Sequence, residues 1–299
     1  MAAPKMVVSP CGRGPQGNGG NMNVAFIGGG NMARAMLGGM GASGLQTDAV
    51  RVLEPDADRR VELTRDFGVT AHETAGEWLY DAAVVVLAVK PQQMREAVAA
   101  ARDWLGPALV VSIAAGVRAT TLARWLGHER IVRAMPNTPA LIRAGTTAAI
   151  ARPGVTVEQH AAADLILRSV GEVLWLDDES MLDPVTAISG SGPAYVFYFI
   201  EALQEAALEL GFTSEQARQL AVQTFVGAAQ LASQSPEAIA TLRERVTSKG
   251  GTTAAALARF DAGSVRQAIV AGARAASARA TEMGDELDAG GDPPRPARR

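Results

Sequence analysis

The sequence is poor in the residues that carry disulfide chemistry, metal binding and acid–base catalysis. Its 299 residues include one cysteine, Cys11, and three histidines. A single cysteine excludes a disulfide within the chain and fits a reducing compartment, so we expect a cytoplasmic location. His72, His128 and His160 are scattered without the spacing that metal ligands share, so no metal site is predicted.

Strong net charge and long apolar runs are also missing. The formal net charge is −3, so no broad surface for nucleic acid is predicted. The sequence has no run of about 18 apolar residues and no secretory signal pattern, so we expect no membrane span. Hydrophobic residues nevertheless make up 48% of the chain, which is enough for a core in one large or two ordinary domains.

The two ends of the chain differ in composition from the middle. Residues 1–21 are rich in Gly, Pro and Asn without periodicity, and we interpret them as a disordered extension. Met22 is a candidate for the true start of translation, because the folded pattern begins at the next residue. The intact mass of the native protein tests this hypothesis. Residues 287–299 are predicted to form a disordered tail.

The most informative stretch is residues 23–33, where a buried-strand pattern runs into three glycines and then a helical pattern. Gly28, Gly30 and Ala33 fit the G-x-G-x-x-G/A spacing of dinucleotide-binding folds. Glycine permits the tight turn, lets a pyrophosphate approach the backbone, and leaves the N–H groups of the helix start free for that anion. A tight turn without a ligand is the alternative.

A second strand pattern, residues 50–53, ends at Glu54. A carboxylate at this position pairs with the ribose hydroxyls of NAD and repels the 2′-phosphate of NADP. Arg59 and Arg60 follow closely and can offset that repulsion, so the preference between the two cofactors stays open. Alternatively, Glu54 and Asp56 begin the next helix, where acidic residues suit the helix dipole.

Three later apolar strands end in Lys90-Pro91, in Ala114-Ala115-Gly116 and in residues 136–139, Pro-Asn-Thr-Pro. Carboxyl ends of strands form the ligand-binding edge of an open α/β sheet, which makes Lys90 a candidate contact and a plain surface lysine the alternative. Asn137 can bind a carboxamide or simply form the turn between prolines. The alternation predicts a Rossmann-like, doubly wound, mostly parallel sheet over residues 22–177.

The second part, residues 178–286, contains helical patterns only and is predicted to be an all-α domain. Residues 194–210 are apolar around much of the helix, a pattern that indicates burial against a partner subunit. Residues 248–253, Ser-Lys-Gly-Gly-Thr-Thr, precede an apolar helix and combine free N–H groups with hydroxyls. Such a turn binds an anion, for example a carboxylate; an ordinary helix cap is the alternative.

The available chemistry favours a cofactor-dependent reduction. The hydroxyl-rich stretches have no histidine or carboxylate partner in their neighbourhood, so nucleophilic catalysis is not predicted. A nicotinamide cofactor carries its own reactivity and leaves the protein to orient two molecules. Because an iminium acceptor needs little acid catalysis, the sequence fits C=N reduction better than oxidation of a 2-hydroxy acid.

Six segments resemble pyrroline-5-carboxylate reductase and occur in that family's order. They span residues 26–33, 88–91, 112–117, 133–140, 189–195 and 247–253. The resemblance extends from about residue 23 to residue 285 and implies reduction of 1-pyrroline-5-carboxylate to L-proline, the last step of proline synthesis, with NADPH or NADH. It also implies homodimers through interlocked helical domains, often assembled into decamers.

The resemblance also implies site residues. The implied cofactor contacts are Ile27, Gly28, Gly30, Asn31, Met32, Glu54, Ala88, Val89, Lys90, Pro91, Ala114, Ala115, Gly116 and Asn137. The implied substrate-carboxylate site is Ser248, Gly250, Gly251, Thr252 and Thr253. Thr253 matches the family threonine that hydrogen-bonds the substrate's ring nitrogen, and it is the implied catalytic residue.

One residue departs from the family pattern, and two other functions remain open. Lys249 stands where the family usually has proline, and it either attracts the carboxylate or faces solvent. The alternatives are another two-domain NAD(P)-dependent reductase, acting on a different cyclic imine or a β-hydroxyacid, and a non-catalytic NADP-binding regulator. A regulator has no need of a carboxylate site, which argues against the last alternative.

Overall fold

The computed structural model describes residues 22–46 and 49–292. Its first half contains one eight-stranded sheet with the order β3-β2-β1-β4-β5-β6-β7-β8. The strands are β1 (Val24–Ile27), β2 (Val50–Leu53), β3 (Thr70–His72), β4 (Val84–Leu87), β5 (Leu109–Ser112), β6 (Ile131–Met135), β7 (Gly145–Ala151) and β8 (Gly171–Trp175). Neighbouring strands are parallel except β6 and β7, which run antiparallel.

Helices cover both faces of this sheet, which explains why its central strands are apolar without alternation. The first-half helices are α1 (Asn31–Ala42), α2 (Ala57–Phe67), α3 (Met94–Ala101), α4 (Ala119–Leu126) and α5 (Val157–Arg168). Val24 and Phe26 of β1 belong to one buried cluster with residues of α1, α2 and α5. Ala25 and Ile27 belong to the cluster on the opposite face, with residues of α3 and α4. The predicted Rossmann-like sheet is confirmed.

The second half is helical. Its helices are α6 (Leu182–Val185), α7 (Gly192–Glu209), α8 (Ser214–Gln234), α9 (Ile239–Arg245), α10 (Thr252–Ala262) and α11 (Val265–Ala289). Thr213 begins α8 with a capping box, in which its hydroxyl and the Gln216 side chain each accept from the other residue's backbone N–H. Helices α7 and α8 pack on each other, and α11 packs on α10 and on α6.

The structure differs from the sequence-based expectations at two places. Strand β3 was not predicted, because Thr70–His72 is only three residues long and offers no apolar pattern. Helix α11 continues to Ala289, so the expected tail start at residue 287 is too early. Leu287 packs against the core cluster beneath α3 and α4, which is why the helix continues.

Some expectations concern residues outside the described ranges. The predicted N-terminal extension, with Cys11, lies there, as do residues 293–299 of the predicted tail. Within residues 22–46 and 49–292, no helix has both the length and the apolar character needed to cross a membrane.

Candidate active site

A cleft of about 510 Å³ lies at the carboxyl ends of β1 to β4, where the strand order reverses between β1 and β4. This switch point is where open α/β sheets bind ligands. We call it the cofactor cleft. Its lining residues are Ile27, Gly28, Gly29, Gly30, Leu53, Glu54, Pro55, Asp56, Arg59, Glu73, Thr74, Ala75, Ala88, Val89, Lys90, Gln93, Glu96, Ala97 and Ala100.

The glycine turn at the base of the cleft depends on glycine at Gly28. Its φ is +100°, and its N–H donates to the carbonyl oxygen of Leu53 at 2.9 Å. A Cβ at Gly28 would lie 2.8 Å from both the Ala88 carbonyl oxygen and Val89 Cγ1. Only a residue without a side chain therefore lets β1 turn into α1 beside the end of β4.

Helix α1 begins at this turn without a side-chain cap. Its N-cap residue is Gly30, around which a Cβ would meet nothing within 4 Å. No side chain therefore caps the first N–H groups of α1. A helix start of this kind binds phosphate through its N–H groups and its partial positive charge.

Glu54 is buried against the glycine turn. Its Oε2 accepts from the N–H of Gly29 at 3.0 Å, and its Oε1 accepts from the N–H of Asp56 at 3.1 Å. Glu54 is only 6% exposed, yet it lines the cofactor cleft. Helix α2 is capped by Asp56, which accepts from the N–H of Arg59, so Glu54 is not the residue that begins this helix.

The two arginines after Glu54 are held differently. Arg60 donates from Nη1 to the carbonyl oxygens of Glu54 at 3.0 Å and Pro55 at 2.6 Å, and its Nη2 lies 3.6 Å from Glu73. The Arg60 guanidinium is thus already bound by groups of the protein itself. Arg59 lines the cofactor cleft. Of the two arginines, Arg59 is therefore the one whose cation can bind a phosphate in the cleft.

The cleft contains part of the predicted cofactor set. Ile27, Gly28, Gly30, Glu54, Ala88, Val89 and Lys90 line it. The remaining residues, Asn31, Met32, Pro91, Ala114, Ala115, Gly116 and Asn137, are not among its lining residues. Sequence reasoning missed the lining residues Glu73 to Ala75, because they follow the unpredicted strand β3. It also missed Gln93, Glu96 and Ala97, which face the cleft from the segment after β4 and from α3.

Asn137 uses both ends of its amide within the protein. Its Nδ2 donates to the carbonyl oxygen of Ser189 at 3.1 Å, and its Oδ1 accepts from the N–H of Thr146 at 2.9 Å. These bonds connect the end of β6 to β7 and to the segment before α7. The contacts match the turn-forming alternative for Asn137.

Two of the histidines have environments that favour the neutral ring. His72 is stacked on Trp78 with ring centroids 4.2 Å apart, and burial, together with nearby Arg51, lowers the pKa of His72. Burial also lowers the pKa of His128. Neither histidine lines the cofactor cleft, so neither is placed to donate a proton there.

The Ser248–Thr253 segment, which we call the anion turn, leads directly into α10. Gly250 has a φ of +74°, and the N–H of Gly251 donates to the carbonyl oxygen of Ser248 at 3.0 Å. A Cβ at Gly251 would lie 2.4 Å from Ser248 Oγ and 3.2 Å from the Ser248 carbonyl oxygen, so a larger residue there would displace the Ser248 hydroxyl. Helix α10 starts without a side-chain cap, which leaves its first N–H groups for an anion.

The anion turn is open to solvent and separate from the cofactor cleft. Ser248, Lys249 and Thr252 are exposed, while Thr253 is half-buried. The exposure of Lys249 fits the alternative in which its side chain faces solvent. In the described part of the chain, no residue of the anion turn lines the cofactor cleft. The two sites therefore share no lining residue within the described part of the chain.

Comparisons with known proteins identify the family of the chain. A profile described as pyrroline-5-carboxylate reductase dimerisation matches residues 179–283, and one described as NADP oxidoreductase, coenzyme F420-dependent, matches residues 23–116. The pyrroline-5-carboxylate reductase of Pseudomonas aeruginosa is 44% identical over 266 residues, covering 88% of this chain and 97% of that protein. The chain belongs to the pyrroline-5-carboxylate reductase family.

Solved structures of pyrroline-5-carboxylate reductases have the same fold. The enzyme from Coxiella burnetii is 40% identical with a TM-score of 0.83, covering 88% of this chain and 99% of that one. The enzyme from Plasmodium falciparum, solved with NADP bound, is 27% identical with a TM-score of 0.80, covering 88% and 98% of the two chains. The resemblance found in the six sequence segments is thereby confirmed.

Proposed function

We propose that this protein reduces 1-pyrroline-5-carboxylate to L-proline with NADPH or NADH as the hydride donor, the last step of proline synthesis. The observation that carries the proposal is the pairing of two sites in a chain of this family. The cofactor cleft fits a dinucleotide, and the anion turn fits a carboxylate. Membership of the family supports both assignments.

The chain's own residues bind and orient the reactants. When bound, the reduced nicotinamide supplies the hydride for the C=N carbon of the substrate. We propose that the N–H groups at the start of α10, with Ser248 and Thr252, hold the substrate carboxylate. The Thr253 hydroxyl hydrogen-bonds the ring nitrogen and orients the C=N bond. The remaining predicted cofactor contacts, from Asn31 to Asn137, stay part of this proposal.

Turnover is the direct test. Purified protein mixed with 1-pyrroline-5-carboxylate should oxidise NADPH or NADH and form L-proline. Oxidation of NADPH or NADH by another cyclic imine, or reduction of NADP+ or NAD+ by a β-hydroxyacid, without turnover of 1-pyrroline-5-carboxylate, would favour a different oxidoreductase of the same architecture. Cofactor binding without turnover of any of them, on folded protein, would favour a regulator.

We further propose that the active site is shared between two copies of the chain, in a homodimer. Helix α7 has no buried residue in the described part of the chain. Large apolar side chains are exposed along the helical half, among them Phe197 at 62%, Tyr198 at 70% and Phe260 at 52%. Exposed apolar surface of this extent marks an interface. A second copy would cover it and bring its anion turn to the cofactor cleft.

Phe197→Glu should convert the dimer to a monomer, because a carboxylate cannot be buried in an apolar interface without a partner. The measurement is the mass in solution by light scattering. Val61→Glu is the matched control, since Val61 on α2 is 67% exposed on the dinucleotide-binding half. A Phe197→Glu protein that stays dimeric would place the interface elsewhere. The mass of the unchanged protein also decides whether dimers assemble into the decamer that the resemblance implies.

Glu54→Gln and Glu54→Ser should raise the preference for NADPH over NADH. The cleft is lined by carboxylates at Glu54, Asp56, Glu73 and Glu96 against cations at Arg59 and Lys90, so a 2′-phosphate meets an excess of like charge. Removing one carboxylate should change the ratio of kcat/KM for the two cofactors by about tenfold. Glu54→Gln keeps an acceptor for the Gly29 N–H. An unchanged ratio in both variants would leave Glu54 only as a support of the turn.

A cytoplasmic location also stays a proposal. It is supported by the single cysteine in the sequence.

A further inference from the structure

The C-terminal end of α11 returns to the dinucleotide-binding half and contacts the loop that follows β5. Gly116 in this loop has a φ of +77° and lies against α11, with the backbone nitrogen of Gly284 3.6 Å from the position of a Cβ on Gly116. A Cβ at Gly284 would lie 3.3 Å from the Gly116 carbonyl oxygen. A Cβ at Gly116 would lie 3.4 Å from Leu287 Cδ1. Glycine at both positions permits this close approach.

Two ion pairs connect α11 to Arg118, at the C-terminal end of the loop that contains Gly116. Arg118, the N-cap residue of α4, pairs with Asp285 and, at 2.6 Å, with Asp288. The Thr121 hydroxyl donates to the second carboxylate oxygen of Asp288. The hydrogen bond to Asp285 is the largest cause of the raised pKa of Arg118, and the hydrogen bond to Asp288 raises it further. Asp288 is 25% exposed and Asp285 is 64% exposed, so Asp288 is the partner that solvent screens less.

Further contacts extend the docked surface to α3. The backbone carbonyl of Asp292 accepts from the Arg95 guanidinium, at 3.0 Å from Nε, and the Asp292 carboxylate pairs with Arg124 at 2.7 Å. Leu287 packs against the buried cluster under α3 and α4. The contacts therefore combine a close backbone approach, a half-buried apolar side chain and several ion pairs on one short segment.

We propose that this C-terminal segment, residues 284–292, positions the loop of residues 113–118 and thereby sets the affinity for the cofactor. Asp288 is the positioning residue, acting through Arg118. The proposal rests on the proposed function, in which Ala114, Ala115 and Gly116 contact the cofactor. The segment lies beyond residue 283, where the match to the dimerisation profile ends. It adds to the reductase an interdomain contact that fixes one wall of the cofactor site.

The test compares Asp288→Asn with Asp288→Glu and with Glu286→Gln in the full chain. Glu286 is the matched control, because it is on the same turn of α11 and pairs with Arg279 of that helix at 3.0 Å. Asp288→Asn keeps the size of the side chain and removes its charge. Amide hydrogen exchange of residues 113–118 should speed up about tenfold, and the KM for the nicotinamide cofactor should rise about three- to tenfold. The kcat should stay within about twofold.

The control and the conservative variant separate positioning from general stability. Glu286→Gln should leave exchange and KM unchanged, and Asp288→Glu should recover most of the lost affinity. Gly284→Ala, which acts through contact with Gly116 rather than through charge, should show the same rise in KM. Unchanged exchange and KM in both Asp288→Asn and Gly284→Ala would overturn the proposal. Faster exchange with unchanged cofactor affinity would also overturn it.

The outcome does not depend on turnover. Hydrogen exchange and cofactor binding, followed by the quenching of protein fluorescence on titration with NADPH, are both measurable on a protein that reduces nothing. If the unchanged protein binds NADPH without turnover and Asp288→Asn weakens that binding, the positioning role stands while the proposed reaction fails.

Discussion

Replacing Gly28 by alanine is expected to weaken the binding of NADPH and NADH by about 100-fold or more, equal to about 2.7 kcal/mol. The new Cβ would lie 2.8 Å from the Ala88 carbonyl oxygen and from Val89 Cγ1, at a φ of +100°. A backbone oxygen cannot move away without displacing the end of β4. The turn must therefore open, which moves the start of α1 out of its place for the pyrophosphate.

The measurement is the dissociation constant for each cofactor, with the melting temperature recorded in parallel. Gly127→Ala is the matched control, because Gly127 has a φ of +76° and open space around its Cβ position. It should lower the melting temperature by a few degrees, as expected for about 1 kcal/mol of backbone strain, and leave cofactor affinity unchanged. A Gly28→Ala protein with ordinary affinity would mean that the cofactor does not bind at this turn.

Replacing Thr253 by alanine should lower kcat by about 10²- to 10³-fold and leave cofactor affinity nearly unchanged. The reason is that the proposed role of the hydroxyl is toward the substrate's ring nitrogen, and the anion turn lies apart from the cofactor cleft. Without that hydrogen bond, the C=N bond loses its orientation relative to the hydride donor. Steady-state kinetics with 1-pyrroline-5-carboxylate, together with cofactor titration, checks both halves of this prediction.

Two further variants serve as controls for Thr253. Thr253→Ser keeps the hydroxyl and should retain most of the turnover. Thr247→Ala removes a hydroxyl that donates to the Arg243 carbonyl oxygen at 2.6 Å, just outside the anion turn, and should have little effect on kcat. If Thr253→Ala abolishes NADPH binding, the residue has been assigned to the wrong site. If it turns over normally, the hydroxyl has no catalytic role.

Much of the fold was predictable because its signals are local. The glycine turn, the apolar strand β4 and the helix start at Thr213 each depend on residues within a few positions of one another. Strand β3 was missed because Thr70–His72 carries no apolar pattern. Its strand conformation depends on pairing with β2, which the local sequence does not indicate. The end of α11 was missed because the contacts of Leu287 and Asp288 are made with residues more than 160 positions earlier.

The candidate site was predictable in its motifs and less so in the partners of individual side chains. Glu54 was expected near the cofactor, and it does line the cleft, but its bond to the Gly29 N–H depends on the packing of β1 beside β2. Asn137 remains a candidate for a carboxamide contact, and its position in the sequence did not reveal that its amide also bonds Ser189 and Thr146. Residue type indicates what a side chain can bind. Only the fold decides which partner occupies it.

The central claim is that one copy's cofactor cleft and another copy's anion turn form one active site. Its most direct test combines Gly28→Ala and Thr253→Ala in mixed dimers, assayed at a cofactor concentration well below the dissociation constant of Gly28→Ala so that each variant alone is nearly inactive. In a mixed dimer, one of the two sites has an unaltered cleft from one copy and an unaltered turn from the other. Random mixing should therefore recover about one quarter of the unaltered activity, since about half of the dimers are mixed.

The measurement is proline formation after co-expression of the two differently tagged variants, with native mass spectrometry to show that mixed dimers are present. The account predicts activity near one quarter of that of the unaltered protein and far above that of either variant alone. Mixed dimers without recovered activity would contradict it, because the cleft and the turn would then have to come from the same copy.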